Sequence, residues 1–184
     1  MLNIQLDRLD GMVTAMRAEK KKILKGIAPL DNLGMKPSPM NSPDDDCATQ
    51  VMLLMPTVEA ANTFVSVFPS VIAGKTGRHT YTEWDQVLRG KGAAHPALNP
   101  YNHPDNAACR RAYDKDMCAR SLDILSRTIM VPTSPHHSQA EVEAIIHNLG
   151  VAAKIVFGGL SRDEAELREV SAIDAQKFDM SVED

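Results

Sequence analysis

The chain has too few cysteines, too far apart, for a disulfide framework. Cys47, Cys109 and Cys118 are three among 184 residues, an odd and scattered set that fits a reducing cytoplasm better than a secreted scaffold. Positive charge is also short: 20 Lys and Arg stand against 24 Asp and Glu, a net of −4. That balance argues against a nucleic-acid partner, which requires a clustered cationic surface. The one basic run, Lys20, Lys21, Lys22 and Lys25, falls inside a helical pattern and reads as a solvated helix face. Long apolar runs are missing. The longest, residues 51–55, is far too short to cross a bilayer, and the opening residues are broken by Asp, Gln and Arg, unlike a signal peptide. Catalytic signatures are missing too. There is no glycine-rich phosphate loop, nucleophile elbow, Cys-x-x-Cys or His-Glu-x-x-His.

What remains is ordinary globular composition, 43% hydrophobic and 24% charged, enough for one core with room for an appendage. Aromatics make up 4% while Met numbers ten. Methionine fills irregular gaps and adapts at contact surfaces, so a Met-rich face points to a partner.

Helical periodicity is clearest at the start. Leu2, Leu6, Leu9, Val13, Met16, Ile23 and Ile27 form one ridge, with Lys20 the single break. A helix over residues 2–28, roughly 40 Å at 1.5 Å per residue, is long for a domain of this size. It starts with no capping residue before it, which predicts further protein upstream, and Pro29 and Gly34 end it. The prolines and acidic triplet of residues 37–46 predict a loop. Residues 49–55, apolar on both alternating faces, predict a buried strand. Thr57 is placed to cap a helix with Val58, Ala61, Val65 and Phe68 as its stripe and Phe64 widening it. Residues 71–73 predict a second strand, and Thr82 is placed to cap a short helix closed by Gly90. Residues 91–105 predict a long loop. Residues 121–125 predict a helix and 128–131 a third strand. Ser138 and Ser161 each open a capping box, with Gly158 and Gly159 breaking the chain between them. The second helix carries Leu167, Val170 and Ile173. The expected architecture is α/β: a small sheet of about three strands with flanking helices, preceded by a long amphipathic helix. Periodicity leaves antiparallel and mixed sheets equally open. Residues 1–157 form the domain and 158–184 an acidic tail.

For chemistry, the informative cluster is His79, Tyr81 and Trp84, with Asn99, Tyr101, Asn102 and His103 downstream. A histidine exchanges protons near neutral pH, and aromatic neighbours build a wall around it. Spacing alone favours the plainer reading, that His79 and Tyr81 satisfy hydrogen bonds at a strand end. His95, His103, Cys109, Cys118, His136 and His137 raise a metal question, but no pair has zinc-finger spacing. His136 and His137, next to a helix cap, are expected in an exposed turn.

Gln5-Leu6-Asp7-Arg8-Leu9-Asp10, with Arg17 further along, resembles the opening of the long helix in DegT-type sugar aminotransferases. Arg78-His79-Thr80-Tyr81-Thr82-Glu83-Trp84 is similar to the histidine–tyrosine–tryptophan segment of one branch of that family. Asp116-Met117-Cys118 and the stretch from Ser121 to Ile129 resemble its approach to the last strand, and Pro135 with residues 138–149 its closing helix. The resemblance covers residues 2–153 through short motifs in the family's order. It implies the small, C-terminal domain of a fold-type-I enzyme. Such an enzyme holds pyridoxal phosphate on a lysine Schiff base in a large domain. An amino donor, commonly glutamate, loads the cofactor, and the amine passes to a nucleotide-linked keto sugar. The resemblance also implies a cytoplasmic homodimer.

The sequence departs from that pattern at the decisive place. The family's Schiff-base lysine, the aspartate facing the pyridine nitrogen and the phosphate-binding residues all precede the long helix, which here begins at Leu2. The chain alone is therefore expected to be inactive and to bind no pyridoxal phosphate. Its expected partner is the missing large domain, or a second subunit, docked on the first helix. His79 is the residue the resemblance brings to the mouth of the active site, against the sugar or its phosphates, with Tyr81 and Asn102 lining the substrate. The alternative is a non-catalytic binding module in which the acidic tail replaces the missing domain. A metal-dependent enzyme built on the histidines is a third reading.

Overall fold

In a computed structural model, the described residues are 6–77 and 80–166. Helix α1 spans Leu9–Ile27 and runs into a 3-10 turn, Ala28–Leu33, which Pro29 begins and Gly34 closes at φ 101°. Only a residue without a Cβ adopts that backbone freely. Four strands follow: β1 (Lys36–Pro37), β2 (Gln50–Leu54), β3 (Val71–Ile72) and β4 (Thr128–Pro132). Helix α2 (Val58–Val67) lies between β2 and β3, a single turn α3 (Asp85–Leu88) follows β3, and α4 (Ala119–Ser126) leads into β4. Helix α5 (Gln139–Gly158) closes the domain. The three expected strands are present, and Lys36–Pro37 adds a fourth that takes in Pro37, the first residue of the expected loop. Proline is tolerated there because β1 is an edge strand.

All pairings are antiparallel, in the order β1-β2-β4-β3. Val51, Leu53, Ile129, Val131 and Ile72 point to one face, where they form the core with Ile23 and Ile27 of α1, Phe64 of α2 and Leu149 of α5. The opposite face is a different surface. Val71 pairs with Met130 and Met130 with Met52, so the three side chains stand in one row across β3, β4 and β2. Met130 and Met52 are half-buried and Val71 is 47% exposed. The sheet is thus covered by helices on one side.

The caps match the sequence. Thr57 accepts from the Ala60 N–H at 3.1 Å, and Ser138 and Glu141 form a reciprocal capping box on α5. A second box pairs Ser161 with Glu164 and starts a helical turn at 162–166, where Ala165 is fully buried. The acidic helix expected through Leu167, Val170 and Ile173 lies outside the described residues. Thr82 is not a helix cap: its hydroxyl sits 2.9 Å from that of Thr80, and Trp84 stands at the N-cap of α3.

Helix α1 is half inside and half outside. Ile23 is fully buried and Ile27 2% exposed, whereas Val13 and Met16 are half-buried and Leu9 is 48% exposed. The helix begins at Leu9, after a turn at Asp7 and Arg8 that interrupts the continuous helix expected over residues 2–28, and Leu6 stands exposed before that turn. Leu2, the first residue of the expected ridge, lies outside the described residues. Helices α1 and α5 run side by side in the same direction, since Lys22 pairs with Glu143 at 3.6 Å and Gly26 abuts Ile146. The turns of α1 before Glu19 extend past the start of α5, roughly 15 Å of helix at 1.5 Å per residue.

The crossing point is polar. Glu19 and Lys20 are both buried. Lys20, the break in the ridge, pairs with Asp46, and the Arg17 Nε donates to the Asp46 backbone carbonyl at 2.7 Å. The Lys20 ammonium, first, and then the Ala48 backbone N–H hold the Asp46 carboxyl below its ordinary 3.8.

Two outcomes follow from this packing. A Cβ on Gly26 would sit 2.6 Å from Cγ2 of Ile146, a stiff β-branched position. Gly26→Ala is expected to destabilise by about 1–2 kcal/mol despite alanine's better helix propensity. In an Ile146→Ala background the same change becomes neutral or stabilising, by urea denaturation. Asp46→Asn is expected to lower stability by about 0.5–1 kcal/mol at neutral pH. Because Asp46 titrates lower when folded, its contribution exists above 3.8 and fades as pH falls through the lowered folded value. Wild type and variant then converge in acid.

Candidate functional site

The residues singled out by sequence fall into separate hydrogen-bonded turns. Tyr81 opens a 3-10 turn, Tyr81–Glu83, after β3. Its hydroxyl donates to the Lys115 carbonyl at 2.6 Å and accepts the Cys118 N–H at 3.2 Å. That phenol ties the start of the long excursion to its end and leaves one lone pair for any other ligand. Asn102 is exposed, and its backbone N–H donates to the Asn99 carbonyl at 3.0 Å. His79 lies outside the described residues. Tyr81 and Asn102 are therefore engaged in different local networks.

The organising residue of residues 90–101 is Asn99, which is buried. Its side-chain oxygen accepts from the N–H of Gly92 at 3.0 Å and of Tyr101 at 3.2 Å. Its amide donates to the Gly90 carbonyl at 3.0 Å. One side chain thus satisfies three backbone groups in a segment that has no ladder of its own. Sequence placed Asn99 in the cluster without marking it out. The Pro-x-x-Asn spacing after Gly90 and Gly92 is the local sign of a side chain folding back on a turn.

The histidines of this stretch serve the backbone. The Nδ1 of His95 accepts from the Ala97 N–H at 3.2 Å, and that of His103 from the Asp105 N–H at 3.3 Å. Each begins a short 3-10 turn with proline in its first positions. Among the described residues no group of three or more His, Cys, Asp or Glu side chains is placed to hold a metal. Cys47, Cys109 and Cys118 are free and exposed.

His136 is exposed, as expected of the turn before α5, but its neighbour is not in open solvent. The Nδ1 of His137 lies 2.8 Å from Oε1 of Glu19, and the other carboxylate oxygen accepts the Ser134 N–H at 3.0 Å. The pair spans 118 residues of sequence, so no local pattern announces it.

Pyridoxal phosphate needs a lysine free to form an imine. Among the described residues the buried lysine, Lys20, has its ammonium held by Asp46, and Lys75 donates to Asn62 on a solvent-exposed surface at 2.7 Å. Neither fits the cofactor. An open hollow of about 460 Å³ lies beside Lys20, lined by Asp45, Asp46, Gln50 and Met52. Its carboxylates would repel a phosphate. No described helix is long and apolar enough to cross a membrane.

No protein-family model matches the sequence, and no curated protein matches it.

Asn99→Ala is expected to destabilise by about 1–3 kcal/mol, since it orphans three backbone groups in a buried turn. Asn102→Ala, on the exposed side, is expected to stay within about 0.5 kcal/mol of wild type. Thermal melts of the two variants side by side check the contrast.

Proposed function

We propose that this chain is the C-terminal domain of a DegT-type sugar aminotransferase, inactive alone and completed by a lysine-bearing cofactor domain docked on α1. The carrying observation is the divided apolar side of that helix: Ile23 and Ile27 are sunk in the core while Leu9 and Met12 stand in solvent. One amphipathic stripe has been partnered over half its length, and large apolar side chains exposed at helical spacing mark a contact surface. The row of half-buried Met52 and Met130 and exposed Val71, on the sheet face opposite the helices, supports the same reading. Methionine is suited to a second surface that must pack against another domain.

In the assembled enzyme the absent domain supplies the imine chemistry, and a nucleotide-linked keto sugar receives the amine. What this chain contributes is the wall of the cleft. Tyr81 holds the ends of the excursion together, and His79 is the residue the family resemblance assigns to the sugar or its phosphates. Three exposed free thiols support a reducing cytoplasm as the setting of the assembly, and docking through α1 fits a homodimer.

A second reading, a binding module in which the tail replaces the missing domain, draws support from Ala165. That residue is fully buried, and the Arg162 guanidinium reaches the Val67 carbonyl at 3.5 Å. The tail therefore begins against the end of α2, not along the bare turns of α1.

Co-expression with the cofactor domain of a DegT-type aminotransferase tests the proposal. The expected result is a co-purifying complex with the absorbance of a pyridoxal aldimine, lost in a Leu6→Asp, Leu9→Asp variant whose own melting temperature is unchanged. In the wild-type complex, His79→Ala is expected to raise the KM for the sugar on the order of tenfold. Absence of a complex, or a complex indifferent to the aspartates, refutes the docking. A yellow isolated chain refutes the division of labour.

A further inference from the structure

We propose that the outer turns of α1 are the docking surface for a second copy of this chain, laid antiparallel along the same helix. The inference concerns the chain on its own and does not depend on the enzyme proposed above.

The surface has one apolar side. Leu9, Val13 and Met16 recur at helical spacing, with Met12 beside them. Leu9 is 48% and Met12 37% exposed, while Val13 and Met16 are half-buried. The same side continues inward through Lys20, Ile23 and Ile27, where the body of the protein covers it.

Along one flank of this side runs a second stripe, Asp10, Thr14, Arg17 and Lys21, again three and four residues apart and all exposed. It is acidic where the helix begins and basic where the helix enters the body. The Thr14 hydroxyl donates to the Asp10 carbonyl at 2.7 Å, and the Arg17 Nε to the Asp46 carbonyl at the same distance. Among the described residues the Asp10 carboxylate and the terminal nitrogens of Arg17 are left for another partner.

The order of those charges selects a second copy and its direction. In a two-fold antiparallel helix pair like flanks face each other. Asp10 of each copy then lies against Arg17 of the second copy, so the complementary contact is made twice. A parallel pair would set this flank against the opposite one, where Ala15 has no charge to offer. A parallel partner would also have to run on into the core around Ile23 and Ile27, whereas an antiparallel one carries its body away past the free end. With the axis beside Val13 and Thr14, Met12 comes alongside Met16 of the second copy, two flexible thioethers that pack into an irregular seam. Each copy offers roughly 15 Å of helix. A contact that short is well below a standard interface, and the expected Kd is on the order of 10–100 µM. A second copy and any other protein docked on Leu9 and Met12 exclude one another.

Analytical ultracentrifugation of the full chain over a concentration series tests this. Wild type is expected to show a monomer–dimer equilibrium, and Met12→Asp to remove it. Asp10→Arg and Arg17→Asp, each alone, bring like charges together across the axis and are expected to weaken the dimer about tenfold. Mixed in equal amounts, these two variants are expected to pair with each other, because every contact across the axis then joins opposite charges. Thermal melts establish that each variant is folded. Met12→Asp and Asp10→Arg lie clear of the body and decide the matter alone if Arg17→Asp does not fold. A wild type that stays monomeric at about 1 mM leaves the surface to a different protein and overturns the proposal. So does a dimer indifferent to Met12→Asp or Asp10→Arg, or a mixture of folded variants no more dimeric than its components.

Discussion

A sheet of alternating strands has to bury one face, and here that single demand arranges everything else. Helices α1, α2 and α5 all bring their apolar sides to Val51, Leu53, Ile129 and Val131. At roughly 25 cal/mol per Å² of apolar surface removed from water, this shared core is the main favourable term. A helix serving such a core over part of its length must cross from oil to water somewhere. In α1 the crossing falls at Glu19 and Lys20, and charges at a boundary need partners. Asp46 answers one and His137 with Ser134 the other, so two loops distant in sequence are pinned to the same turn of helix.

That crossing shows how far the sequence could be read. The ridge of Leu6, Leu9, Ile23 and Ile27 is a local pattern, and it names the helix and its inner face. Lys20 stands out as a break, but its meaning lies in Asp46, which only the fold brings near. The caps at Thr57, Ser138 and Ser161 were legible because capping is a matter of three or four residues. Edge strand β1 was hidden because two residues carry no periodicity and one is proline. Strand direction was equally invisible, since alternation is the same in parallel and antiparallel pairs.

The candidate site divides along the same line. Residue type drew attention to Tyr81 and Asn102, and the surrounding chain decides what each does. Tyr81 closes a loop with its hydroxyl, while Asn102 is held through its backbone and the adjacent Asn99 turn carries the buried contacts. The histidines near them are spent on 3-10 turns. The polar side chains described in this region thus support loops more than they form a reaction centre.

The central strands β2 and β4 are adjacent in the sheet yet end and begin at Leu54 and Thr128. Helix α2 and strand β3 account for the first part of that gap and α4 for the last. Among its described residues the stretch in between, residues 76–118, contributes no strand to the ladder and buries few side chains. Chain-closure entropy rises only slowly with length, about 0.6 kcal/mol for each doubling. Insertions, deletions or wholesale exchange there leave the hydrogen-bonded frame in register. The architecture thereby separates what must stay fixed from what is free to diversify, and a lineage using it can change the rim without rebuilding the floor.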